Sequence, residues 1–112
     1  MKFTIRQQDD VAVVVLEGDM VGGPDATLLT EKIRDLLESG RTKILVDMSE
    51  VNWMNSSGLG ILIGGLTTVR SSGGEMKFVH LSNKIRELLR ITKLEGVFDL
   101  YDNEDEAVGS FA

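Results

Sequence analysis

The fold of this chain is decided by the stretch VNWMNSSGLG at residues 51–60. The apolar run ILVD at residues 44–47 precedes it and is typical of a buried strand. After it, apolar residues recur at the spacing of one helix face: Leu59, Leu62, Ile63, Leu66 and Val69. The sequence therefore predicts that small hydroxyl residues lie where a strand passes into a helix.

Two interpretations of this junction fit its spacing. A helix start has unpaired backbone N–H groups and the positive end of the helix dipole, which favour both a capping side chain and a phosphate. In the first interpretation, Asn55, Ser56 or Ser57 simply caps the helix. In the second, an exposed serine at the helix start is a regulatory site. The spacing of these residues does not choose between the two.

Length, charge and composition limit the function classes. The 112 residues predict a single domain, residues 1–112, that can bury a core without disulfides or metal. With no cysteine and one histidine, His80, we expect no metal site, no cofactor and no catalytic residues. The net charge of −6 disfavours direct nucleic-acid binding. We also expect a cytoplasmic protein without membrane insertion, because no signal-peptide core opens the chain and the apolar stretch at 59–66 is short.

The order of patterned segments predicts an α/β fold. Strands are expected around residues 3–5, 11–17, 43–48, 76–81 and 98–101. Helices are expected at residues 26–39 and 58–70, after a cap at Ser82, and at the acidic residues 103–108. The first two strands should form a hairpin, and the third should run parallel to the second because a helix crosses between them.

Two motifs that suggest enzymes have simpler explanations. The glycines miss the dinucleotide-binding fingerprint by one position, which favours close helix packing instead: Gly58, Gly60, Gly64 and Gly65. Ser56 lacks the glycine that a nucleophile elbow needs two positions earlier, where Met54 stands. Nucleotide binding or hydrolysis is therefore kept only as a third, less favoured class.

Other polar and aromatic residues near the predicted strand ends have more than one interpretation. His80 is expected to be a hydrogen-bonded structural histidine rather than a ligand, since a lone histidine makes no metal site. Asp47 either forms a turn or is functional at the carboxyl end of its strand. Trp53 and Met54 are expected to anchor the core or loop, and they could also contact a partner.

The segments DMS at residues 47–49 and MNSSGLG at residues 54–60 resemble the STAS domain. More closely, they resemble the single-domain bacterial anti-sigma factor antagonists. The resemblance covers nearly the whole chain, including the hairpin, LEG at residues 16–18 and the segments before the last two strands. It implies a STAS-like single domain with a mixed four- to five-stranded sheet and helices mainly on one face.

The resemblance also implies a function. Family members bind an anti-sigma factor that is also a serine kinase, release it when the first serine of the motif is phosphorylated, and are reset by a phosphatase. That serine corresponds to Ser56, and Ser57 is expected to support the turn or cap. The partner is expected to contact the helix start and the loop at residues 18–25, through Asp19, Asp25, Asn55, Ser56, Ser57, Gly58 and Leu59.

Two positions depart from the family pattern. Asn55 stands where the family usually has aspartate before the serine, and Val21 stands where an aspartate often follows the second strand. Each change removes a carboxylate near the expected kinase contact, so both bear on phosphorylation more than on the fold. The alternative function is a STAS scaffold or accessory subunit, never phosphorylated, in a signalling or lipid-transport complex.

Overall fold

The computed structural model describes residues 2–111 as a five-stranded sheet with four α-helices and one short 3₁₀ helix. The strands are β1 (Lys2–Gln8), β2 (Val11–Glu17), β3 (Lys43–Glu50), β4 (Glu75–Val79) and β5 (Leu100–Tyr101). The helices are α1 (Pro24–Glu38), α2 (Ser56–Ser71), α3 (Asn83–Ile91) and α4 (Glu104–Gly109), and the 3₁₀ helix is Glu95–Val97.

The strand order β1-β2-β3-β4-β5 confirms the predicted mixed sheet. β1 and β2 pair antiparallel as a hairpin, and the other neighbouring strands pair parallel. Helices α1, α2 and α3 make the crossovers that parallel neighbours require. The carboxyl ends of β2, β3 and β4 consequently meet at one edge of the sheet, where α/β folds place their functional loops.

The larger core lies between the sheet and helices α1, α2 and α3. The predicted face of α2 points into it: Leu59, Leu62, Leu66 and Val69 are buried, and Ile63 is half-buried. Gly65 lets α1 approach, because a Cβ at this position would lie 2.9 Å from Cδ1 of Ile33. Gly60 and Gly64 have open space where a Cβ would be, so the prediction of close packing is wrong for these two glycines.

A smaller core covers the opposite face of the sheet. It consists of Val11, Val13, Leu45, Val79 and Ala107, the last from helix α4. Lys77 of β4 is buried there and donates hydrogen bonds from Nζ to the carbonyl oxygen and the hydroxyl of Ser110, each 2.9 Å long. Three helices on one face and the short α4 on the other confirm the predicted arrangement, with helices mainly on one face.

Two predicted strands are shorter than expected. β4 ends at Val79 rather than at residue 81, because His80 adopts a left-handed backbone conformation with φ of 62°. β5 contains only Leu100–Tyr101. Phe98, expected to begin that strand, instead packs its ring edge-on against Phe78, with 5.0 Å between the ring centroids. The backbone of Phe98 is still extended, with φ of −102° and ψ of 139°, but the paired residues of β5 begin only at Leu100.

We predict that Leu62→Ala destabilises the protein by about 2–5 kcal/mol, the usual cost of removing a packed leucine side chain. Leu62 is 2% exposed, whereas Leu28 on α1 is 40% exposed. Leu28→Ala should therefore change the free energy of unfolding by no more than about 0.5 kcal/mol. Urea denaturation of both variants tests this expectation. Equal effects at the two positions would mean that the α2 face is wrongly assigned.

Candidate functional site at the start of helix α2

Asn55 is the residue that caps helix α2. Its backbone is extended, with φ of −97° and ψ of −174°, and its Oδ1 accepts a hydrogen bond of 2.9 Å from the backbone N–H of Gly58. Of the three capping candidates, the structure therefore selects Asn55. Ser56 and Ser57 are both exposed in the first turn, so neither is the cap, and support of the turn by Ser57 stays a prediction. Both hydroxyls project from a helix start that is already capped.

The loop after β2 and the loop after β3 are joined side by side. The N–H of Met20 donates to the carbonyl of Trp53 at 3.1 Å, and the N–H of Asn55 donates to the carbonyl of Met20 at 3.3 Å. The side-chain amide of Asn55 also donates to the carbonyl of Val21 at 3.3 Å. Residues 18–23 and the start of α2 are therefore held side by side.

Gly58 makes this close approach possible. A Cβ at this position would lie 2.0 Å from the carbonyl oxygen of Met20, a distance at which no side chain fits. Gly22, in the same loop, has φ of 104°, and a Cβ there would lie 3.1 Å from Cβ of Ser57. Glycine is needed at residue 58 for space and at residue 22 for both its backbone conformation and its tight contact.

The expected contact residues differ in their accessibility. Asp19 is exposed in the loop after β2, and Asp25 is half-buried in the first turn of α1. Gly58 is buried and Leu59 is 4% exposed in the core, so these two hold the helix start in place rather than offering side chains to a partner. The accessible part of the predicted site is therefore smaller than the motif.

Two exposed apolar side chains flank the helix start. Val21 is 47% exposed and Trp53 is 49% exposed. Met54, weighed together with Trp53, is buried at 2% and belongs to the core. Val21, which stands where the family often has an aspartate, adds apolar surface to the site. Its neighbour Met20 is buried, and because both residues are apolar the sequence carries no signal that Val21 points outward.

The start of α2 is suited to an anion. Residues 56–59 of the first turn include no acidic side chain, and the dipole and free N–H groups of a helix start favour negative charge. Within residues 2–111, no group of three or more histidine, aspartate and glutamate side chains could hold a metal ion. The arrangement offers a modifiable hydroxyl on a surface that a partner could contact.

Asp47 belongs to a separate polar cluster on the opposite sheet face. Its Oδ1 accepts a hydrogen bond of 3.0 Å from the N–H of Ser49 and lies 3.2 Å from Nδ1 of His80. Arg6 lies 3.9 Å from Oδ2 and pairs with Glu104 of α4. Asp47 lies within β3, which continues to Glu50, so residues 47–49 do not form the turn that was one of its two interpretations. His80 is the hydrogen-bonded histidine that was expected.

These contacts shift the pKa of Asp47. Burial favours the protonated acid, but the N–H and hydroxyl of Ser49, together with His80, outweigh it and hold the pKa of Asp47 below its ordinary value. The hydrogen bonds from Arg6 likewise lower the pKa of Glu104, against a smaller opposing effect of burial. The ionised carboxylates therefore help to hold β1, β3, β4 and α4 together.

Comparison with known proteins agrees with this geometry. The profile of the STAS domain matches residues 2–107. The chain belongs to the STAS domain family. The anti-sigma-B factor antagonist of Bacillus subtilis (strain 168) is 29% identical to it over 96 residues, which is 86% of this chain and 86% of the relative.

Solved structures show the same STAS fold. An anti-sigma factor antagonist from Mycobacterium paratuberculosis superposes with a TM-score of 0.81 at 24% identity, covering 98% of this chain and 92% of that one. The phosphorylated form of the Bacillus cell fate determinant SpoIIAA superposes with a TM-score of 0.71 at 22% identity, covering 96% and 97%. In the part of this STAS domain that the structure describes, no helix has the length and apolar character needed to cross a membrane.

We predict opposite effects for two alanine substitutions in the first turns of α2. Gly58→Ala should destabilise the STAS domain by about 1–3 kcal/mol, because the new methyl group forces the Met20 carbonyl away. Gly60→Ala should stabilise it by about 0.5–1 kcal/mol, because the position is open and alanine favours helix. Urea denaturation measures both. A Gly58→Ala protein as stable as wild type would show that the two loops are not in close contact.

We predict that Asp47 contributes stability that is lost in acid. Because its folded pKa is lowered, this contribution is present above the pKa of the unfolded chain, about 4, and disappears as the pH falls through the folded value. The difference in unfolding free energy between wild type and Asp47→Asn should therefore shrink from about pH 6 to about pH 3. Ser49→Ala should show a smaller change in the same direction. A difference that is constant with pH would contradict the assigned contacts.

Proposed function

We propose that this STAS domain is an anti-sigma factor antagonist that works by partner switching. In its unphosphorylated form it binds an anti-sigma factor that is also a serine kinase, and phosphorylation of Ser56 by that kinase releases the complex. A phosphatase restores the binding form, and the cycle takes place in the cytoplasm. The observation that carries this proposal is that Ser56 is exposed as the first residue of α2 while Asn55 provides the cap.

The position of Ser56 supports a reversible modification. Because Asn55 supplies the capping oxygen, the fold does not need the Ser56 hydroxyl. A phosphate would add about −1.5 to −2 charges, next to N–H groups and a dipole that favour them. The folded structure should therefore tolerate the phosphate, and its effect should fall on whatever contacts the surface.

The surface around Ser56 supports binding by a protein partner. Val21 and Trp53 are each about half exposed, and Asp19 adds an exposed carboxylate from the same loop. Exposed aromatic and aliphatic side chains beside polar groups are typical of protein–protein contacts. We propose that these residues, with Asn55 and Ser57, contact the anti-sigma factor, and that Asp25 contributes from the first turn of α1.

One observation favours the alternative function of an unphosphorylated scaffold or accessory subunit. Asn55 and Val21 provide no carboxylate where the family usually has one, and the Asn55 side chain is committed to Gly58 and to Val21. A kinase that recognises acidic groups at these positions would therefore find fewer of them. In that case the same surface would bind its partner permanently, in a signalling or lipid-transport complex.

The test of switching is binding of the anti-sigma factor from the same organism to wild type, Ser56→Ala and Ser56→Asp. We expect Ser56→Ala to bind and to resist phosphorylation, which mass spectrometry would locate on Ser56 in wild type. Ser56→Asp should fold normally but bind ten- to a hundred-fold more weakly, equivalent to about 1.4–2.8 kcal/mol. Calorimetry measures the affinities.

Ser57→Asp is the matched control, since Ser57 is also exposed in the first turn but is not the proposed phosphorylation site. It should bind more tightly than Ser56→Asp and accept phosphate on Ser56. If Ser56→Asp binds as tightly as wild type and the kinase leaves Ser56 unmodified, switching is refuted. Stable binding in that case would favour the scaffold function.

A further inference from the structure

A groove beside the Ser56 surface is not used by the proposed switch. It has a volume of about 570 Å³ and lies between the loop after β3 and helix α3. Its apolar wall consists of Trp53, Met54, Ile85, Leu88 and Ile91. Since Trp53 is three residues before Ser56, the groove continues the surface that the partner is proposed to cover.

The groove is open along much of its length. Ile91 is 69% exposed and Trp53 is 49% exposed, the two largest exposed fractions among the large hydrophobic residues described. A pocket for a small molecule usually surrounds about 70–90% of its ligand. An open apolar channel of this kind fits better with a helix laid along it, whose apolar face would cover both side chains.

Helix α3 supplies the matching pattern. Lys84, Leu88 and Ile91 are spaced by four and three residues and therefore share one helix face. This is the spacing by which one helix receives the apolar side chains of another. Met54 and Ile85 close the floor of the groove, where both are buried.

The charge at the rim indicates the chemistry of the occupant. The chain carries a net charge of −6, but residues 83–93 contain four cationic side chains, Lys84, Arg86, Arg90 and Lys93, and one acidic side chain, Glu87. Arg90 pairs with Glu87, and Arg86 pairs with Asp102. Across residues 2–111, no carboxylate forms an ion pair with Lys84, which lines the groove. Glu87 also lines the groove, but Arg90 neutralises it, so among the charged residues of the lining Lys84 carries the charge that no ion pair compensates.

We propose that this groove receives an acidic amphipathic helix of the anti-sigma factor. The apolar face of that helix would cover Trp53, Leu88 and Ile91, and one of its carboxylates would pair with Lys84. This inference rests on the proposed function for the identity of the partner. It assigns the partner a second contact that provides affinity and is separate from the serine that is phosphorylated.

Trp53 is the only tryptophan in the chain and reports directly on the groove. The probe is an amphipathic peptide of about 20 residues, long enough to form a helix, with leucines on one face, glutamates on the other and no aromatic residue. A second peptide carries lysine at every glutamate position. The acidic peptide should shift Trp53 emission to shorter wavelength in a saturable way, since the indole leaves water, and the basic peptide should bind about ten-fold more weakly.

Two variants and two matched controls locate the binding. Ile91→Ser should weaken acidic peptide binding about ten-fold, and Lys84→Glu should reverse the preference between the two peptides. Leu28→Ser and Arg41→Glu make the same changes at exposed positions on α1 and on the loop before β3, outside the groove, and should leave binding unchanged. Thermal melts check that all four proteins are folded.

Binding of the anti-sigma factor distinguishes failure of the groove proposal from failure of the proposed switch. With the anti-sigma factor as ligand, Ile91→Ser and Lys84→Glu should each weaken binding about ten-fold, while the controls bind as wild type does. If Ser56→Asp weakens that complex but the groove variants do not, the groove proposal is wrong and the switch stands. If the acidic peptide binds as proposed but no anti-sigma factor binds wild type, the proposed function fails, while the preference of the groove for acidic helices remains.

Two further results would overturn the groove proposal outright. One is that the acidic peptide leaves Trp53 emission unchanged, or that both peptides bind equally. The other is that sodium dodecanoate, an anionic lipid-like molecule, binds in the groove while the acidic peptide does not. In that second case the occupant is a small amphiphile rather than a helix.

Discussion

The close approach of Gly58 to the carbonyl group of Met20 is the contact on which the candidate site depends. A Cβ would lie 2.0 Å from that oxygen, so only glycine lets helix α2 begin against the loop after β2. The same carbonyl accepts the N–H of Asn55, whose side chain then caps the helix. Steric space, the backbone hydrogen bond and the cap all fix one position for the helix start. A larger residue at position 58 would separate two loops that are far apart in the sequence and break the hydrogen bond from Asn55 to Val21.

The sequence predicted the parts of the fold that follow from local pattern. Helices alternating with strands required the parallel order of β2, β3 and β4, and the apolar spacing in α2 identified the face that packs on the sheet. The sequence did not predict where β4 ends and where β5 begins. Phe98 packs on Phe78 from a position just before β5, and His80 ends β4 two residues early because its backbone is left-handed. Neither the ring contact nor the left-handed residue has a periodic signature, so the pattern of residues along the chain does not predict it.

The sequence predicted where the candidate site lies along the chain, but not which of its residues cap the helix and which are exposed. The motif located Ser56, yet it offered three possible caps, and only the geometry of Asn55 decides between them. Leu59 belongs to the motif because it is core, not because a partner can reach it. The groove could not be predicted at all, because it combines Trp53 with side chains of α3 that follow about thirty residues later and are brought beside it only by the fold.

The two departures from the family pattern change how much a phosphate on Ser56 would lower the affinity for a partner. With Asn55 and Val21 in place of carboxylates, the start of α2 is close to neutral, and Val21 and Trp53 add apolar surface beside it. A partner that contacts this surface would bury these side chains, and burial of apolar area favours association. Adding about two negative charges to such a contact costs desolvation as well as repulsion, since the phosphate cannot keep its water in an apolar interface. A less acidic surface therefore increases the difference in partner affinity between unphosphorylated and phosphorylated Ser56. The missing carboxylates are compatible with a switch whose partner differs in charge from partners that recognise an acidic site.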